Sequence, residues 1–182
     1  LATKALQTPA AQNNFKTKYL DQWVSADMAW MDLAAWDRCA DPSLDEIAFR
    51  GAQCVIAMDL ASKVDIACKV KLFSKDIDSK RHYYLFCESF LPEASIHDGR
   101  NASYAGWELE QRIITTPGDV LDFSVLKESL LADRNAYVIS HCGYDPWQAT
   151  QLAQEMVAEG LPMIEVRATV NNFSAPMKEL DA

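Results

Sequence analysis

Two aspartates stand where apolar runs end. Asp59 closes Val55-Ile56-Ala57-Met58, and Asp145 follows the run Tyr137–Tyr144 and precedes Pro146. They are 86 residues apart in the chain. Carboxylates brought close repel, so one must take up a proton or find a cation. Oxygen-only donors suit Mg²⁺ or Mn²⁺. Two such ions about 4 Å apart can activate water and stabilise a leaving oxygen in phosphodiester hydrolysis. The same residues are open to a plainer reading. Asp145-Pro146 has the composition of a helix start, and Asp59 can cap a turn.

Other polar residues near these positions are read both ways. Asp65 is either a further acid of the same site or a surface partner of Lys63, and Lys63 is either a phosphate contact or a solvated lysine. Glu88 faces either the site or solvent, and Asp122 reads as a helix cap. The chain has no GxxxxGK[ST] loop and no arguable Ser-His-Asp or Cys-His arrangement. His141 and Cys142 are adjacent, which in a strand sends them to opposite faces. His82, His97 and His141 show no ligand spacing. Cysteines at 39, 54, 68, 87 and 142 form no CxxC pair, and four of them lie in apolar runs, where a reduced thiol behaves as a small hydrophobe. Neither a disulfide framework nor a zinc site is expected, which suits a cytosolic chain.

For the two aspartates to meet, the strands that carry them must be neighbours. Cys54–Leu60 reads as a first strand buried on both faces, Ile66–Phe73 as a second, and Tyr83–Leu91 as a third. SKDIDSKRH is read as a polar loop, and Pro92 closes this antiparallel meander. A helix over Ala102–Arg112 and a short strand at Ile113–Thr115 come next. A helix capped by Asp122 or Ser124 then runs to about Ala132. Tyr137–Tyr144 is a fourth strand, Pro146–Glu159 a helix stopped by Gly160, and Pro162–Ala168 a fifth strand. Helical crossovers make the first and fourth strands parallel neighbours near the sheet centre. Both aspartates then leave at one sheet edge, where α/β sheets place ligands.

Upstream lies an arm. Residues 1–14 read as loop, and aromatic and aliphatic residues from Phe15 to Cys39, among them Trp23, Trp30 and Trp36, recur at partly helical spacing. They are expected to cover a surface. Asp41-Pro42 marks a turn, and Ser43-x-x-Glu46 fits a capping box for one short helix. At the other end Ser174 and Pro176 suggest a helix start. With Leu1 first, the sequence reads as a piece of a longer protein. The composition, 49% hydrophobic and 24% charged, is that of a globular chain with a real core. No apolar run approaches the length that spans a bilayer, and the N-terminal residues do not read as a secretory signal. A net charge of −9 argues against a large phosphate-binding surface. A site that holds metal with carboxylates is locally acidic, however, and basic surface can lie in another domain.

The blocks FKTKYLDQWVSADMAWMDLAAWDRCAD, IAMDLASKVDIA and YDPWQATQLAQEMVAEGLPMIEVRATVNNFSAPMKEL resemble the large terminase subunit of tailed bacteriophages and prophages. The resemblance covers nearly the whole chain. It implies a ribonuclease-H-like α/β fold: a mixed sheet of about five strands flanked by helices, with an N-terminal helical or extended linker arm. Residues 1–50 would join an ATPase motor domain of the same full-length chain, and residues 51–182 would be a C-terminally truncated nuclease domain. The implied activity is metal-dependent endonuclease cleavage of concatemeric viral DNA during DNA packaging, with two Mg²⁺ or Mn²⁺ ions. Asp59 matches the family's first metal-binding acid and Asp145 its second. The third acidic or histidine ligand would lie beyond Ala182, which leaves this stretch a weak metal binder by itself. Double-stranded DNA, the portal protein and the small terminase subunit are the implied partners, in the cytoplasm of the bacterial host. Two alternatives are a non-catalytic docking module of the packaging motor and an unrelated ribonuclease-H-like nuclease such as a resolvase.

Overall fold

The computed structural model describes residues 12, 15–16, 19–20, 32–61, 65–99, 101–147 and 149–181. The chain divides into two units, residues 46–172 and residues 1–45 together with 173–182. In the second of these, helix α1 (Leu33–Arg38) begins where the Asp32 carboxylate accepts the Ala35 N–H at 3.0 Å. Trp23 and Trp30 of the expected aromatic arm lie outside the described residues, as does Lys63.

Residues 46–172 carry a six-stranded sheet. A 3₁₀ turn (Glu46–Phe49) leads into β1 (Gln53–Asp59), β2 (Ala67–Ile77) and β3 (Lys80–Pro92). Short helices α2 (Glu93–His97) and α3 (Ser103–Leu109) lead to β4 (Ile114–Thr116). Helix α4 (Phe123–Ala136), β5 (Val138–Tyr144), α5 (Thr150–Ala158) and β6 (Met163–Glu165) complete the sheet, and α6 (Val170–Asp181) follows. The strand order is β4-β3-β2-β1-β5-β6. β1, β2 and β3 form the antiparallel meander. β4 adds parallel to β3, β5 parallel to β1, and β6 parallel to β5. The mixed α/β architecture expected from the sequence is present, with the fourth expected strand, now β5, beside the first.

Several local expectations are corrected. β1 is buried on one face only: Cys54, Ile56 and Met58 point into the core, while Val55, Ala57 and Asp59 are exposed. The desolvation cost that Asp59 would carry inside a doubly buried strand therefore does not arise. SKDIDSKRH is not a loop. β2 and β3 pair through it to Ile77↔Lys80, around a two-residue turn at Asp78-Ser79. Both turn residues have positive φ, 50° and 62°, the backbone hand that two-residue hairpins need. Ser43 does not form the capping box, because its hydroxyl and its N–H both go to Asp41. The helix after Asp145 starts at Thr150, four residues later than expected, and the last helix starts at Val170, leaving Pro176 inside it.

The core lies between one sheet face and two helices. Leu126, Leu130 and Asp133 recur every three to four residues on α4 and are buried, as are Leu152, Ala153 and Met156 on α5. Asp122 caps α4 as expected, accepting the Ser124 N–H at 2.8 Å. Gly160, at φ 87°, ends α5 as expected, and the Leu161 N–H returns to the Met156 carbonyl. Phe49 packs its ring at a tilt against Phe73 and Tyr84 at ring separations of 4.7 and 5.0 Å, closing the core near the start of β1. The opposite sheet face exposes Val55, Leu85 and Tyr83.

Candidate metal and nuclease site

Parallel pairing of β1 with β5 fixes the relation of the two aspartates. Ala57 pairs with Gly143 and Met58 with Tyr144. The next residue is an aspartate in each case, Asp59 as the last of β1 and Asp145 as the first after β5, so both follow the same paired row at one end of strands that lie about 4.8 Å apart. β6 lies on the far side of β5 with Glu165 opposite Tyr144, so a third acid ends its strand in the adjoining row. Glu165 is held by Arg167 at 2.6 Å.

Asp145 is fastened by backbone. One carboxylate oxygen accepts the Trp147 N–H at 2.9 Å and the other accepts the Ala168 N–H at 3.0 Å. The first bond shapes the turn that leaves β5, and the second ties that turn to the chain beyond β6. These N–H groups, Trp147 first and Ala168 next, hold the Asp145 carboxyl below the usual aspartate range, with a further contribution from the Arg167 charge. The residue is thus ionised at neutral pH and fixed in direction. Asp59 is exposed and faces Cys68 of β2 in register. Asp65 is exposed in a bend before β2.

Among the described residues no group of three or more His, Cys, Asp or Glu is arranged to hold a metal ion. The two aspartates offer only oxygen donors, the donor type that hard divalent ions take. Mg²⁺ is commonly held by one or two carboxylates and keeps several waters. Each Asp145 oxygen gives one lone pair to an N–H and retains another.

Glu88 faces away from this site and is partly exposed. It lies on the core side of β3, where Lys71 reaches it at 2.7 Å and Ser129 of α4 donates to it at 2.6 Å. This belongs to a buried ionic network that sequence reading missed. Lys69 is 0% exposed and Lys71 is 4% exposed, both on the core face of β2. Lys69 is bonded to Asp133 and Ser129 of α4, and Lys71 reaches Glu46 at 2.6 Å and Asp133 at 3.4 Å. Burial opposes the Lys71 charge, but Glu46, Glu88 and Asp133 outweigh it and raise its pKa above the ordinary lysine value. The signal available was parity: Lys69 and Lys71 alternate in step with the buried Ala67 and Phe73.

The family model for the terminase large subunit, endonuclease domain, matches residues 1–182. The chain belongs to this family. It is 34% identical over 178 residues to protein YmfN of Escherichia coli strain K12, covering 93% of this chain and 39% of that protein. It is 22% identical over 169 residues to the large terminase subunit of Enterobacteria phage HK97, covering 90% of this chain and 32% of that protein. The crystal structure of the HK97 large terminase superposes with a TM-score of 0.68 at 20% identity, over 99% of this chain and 37% of the other. That likeness establishes the fold, a terminase nuclease fold of the ribonuclease-H-like kind. The chain spans well under half the length of these relatives.

Proposed function

We propose that this terminase nuclease domain is a divalent-metal-dependent DNA endonuclease, and that Asp59 and Asp145 hold Mg²⁺ or Mn²⁺. The observation that carries the reading is the β1–β5 register, which puts Asp59 at the end of β1 and Asp145 directly after β5 at the same end of the sheet. A bound divalent ion would supply Lewis-acid activation of water and charge stabilisation at phosphorus. Asp59 supplies an exposed carboxylate at the end of β1. Asp145 supplies an ionised carboxylate whose direction is set by two backbone N–H groups. Family membership supports double-stranded, concatemeric DNA as the substrate. It also supports a motor domain of the same chain, the portal protein and the small terminase subunit as partners.

Replacing Asp59 with Asn in the full-length protein is expected to abolish Mn²⁺-dependent nicking of plasmid DNA while thermal unfolding stays unchanged. Undiminished nicking would remove Asp59 from the chemistry.

One observation favours a second reading for Asp145. Both of its oxygens already serve backbone donors, as a purely structural turn residue would require. On that reading Asp145→Asn lowers stability and leaves nicking intact. On the metal reading nicking is lost even where the fold is retained.

A further inference from the structure

Two cysteines converge on the exposed face of the β2–β3 hairpin. Cys68 is in register with Ser89, and Cys87 is in register with Val70, so the two are diagonal neighbours on one face. Their sulfurs are 3.1 Å apart, and both thiols are free. A disulfide bond is about 2.05 Å long, so the sulfurs stand roughly 1 Å short of it. Cys87 is exposed and Cys68 partly so, whereas Cys54 and Cys142 are buried. Cys39 is exposed, and its sulfur contacts the Ala35 carbonyl at 3.4 Å.

We propose that Cys68 and Cys87 form an oxidant-responsive dithiol that closes to a disulfide across β2 and β3. The sulfurs share a hydrogen bond, and Cys87, the more exposed of the two, is the one open to an oxidant and so the attacking thiol. With hydrogen peroxide as oxidant, the Cys87 sulfur takes one oxygen and the O–O bond breaks. This leaves a sulfenic acid and a hydroxide that recovers the Cys87 proton as water. The Cys68 sulfur then attacks the sulfenic sulfur, the S–O bond breaks, and the departing hydroxide leaves with the Cys68 proton as a second water. The two thiols lose two electrons and the peroxide gains them. The bond forms one strand away from Asp59, whose register partner is Cys68, but it does not depend on metal binding there.

The test is brief treatment of the full-length protein with hydrogen peroxide, alkylation of the remaining thiols, and peptide mass spectrometry. The expected result is an intramolecular link between the Cys68 and Cys87 peptides, formed before Cys39 is oxidised and reversed by dithiothreitol. In Cys68→Ser the link is lost, and dimedone traps a sulfenic acid on Cys87. Full alkylation of Cys68 and Cys87 under conditions that oxidise Cys39 would overturn the proposal, as would links formed only between molecules.

Discussion

Asp145 combines two demands on one side chain. Its oxygens hold the Trp147 and Ala168 N–H groups, so the turn after β5 depends on its charge. Because its folded pKa lies below the unfolded value, this stabilisation is present above the ordinary aspartate range and lost as pH falls through the lowered value. Asp145→Asn keeps an oxygen for one N–H and loses the acceptor for the other. The melting temperature of Asp145→Asn should therefore lie below that of the parent near neutral pH, with the gap narrowing steadily as the solution is acidified. A gap independent of pH would show that the charge of Asp145 does not hold the turn. Asp59 has the opposite character, exposed at the end of a strand buried on one face.

At the scale of elements, α4 is fixed to the sheet by charge as well as by Leu126 and Leu130. Asp133 is the shared anion of Lys69 and Lys71, and removing one partner of a buried ion pair typically costs about 3–5 kcal/mol because it strands the other charge. Asp133→Asn should cost that much in urea unfolding, and a loss below about 1 kcal/mol would place the network among weak surface pairs. Glu88, held below the ordinary glutamate range despite its burial by Lys71 and Ser129, adds stability that disappears as pH falls through its lowered value. The parallel neighbours β1 and β5 were legible in the sequence because helix-length segments separate the strands that carry Asp59 and Asp145. Asp122 and Gly160 were legible because capping chemistry is local. The hairpin extension was not legible, since Ser74–His82 is polar apart from Ile77 and only cross-strand pairing makes it sheet. Missing that register also hid the approach of Cys68 to Cys87. The inward lysines went unseen because their shared partner Asp133 lies on α4, more than 60 residues away.

At the scale of the molecule, the chain has the nuclease fold with a negative surface balance. Its net charge is −9, and two of its lysines are buried and paired within the core. A chain of net negative charge is a poor general binder of phosphate, so the proposed reading rests on the strand ends and not on a basic surface. What this domain would contribute is the sheet edge where β1 and β5 end. The most direct measurement is anomalous diffraction from crystals of the full-length protein soaked in manganese chloride. A manganese peak bonded to both Asp59 and Asp145 is the predicted result. No peak beside either carboxylate at saturating manganese would contradict it.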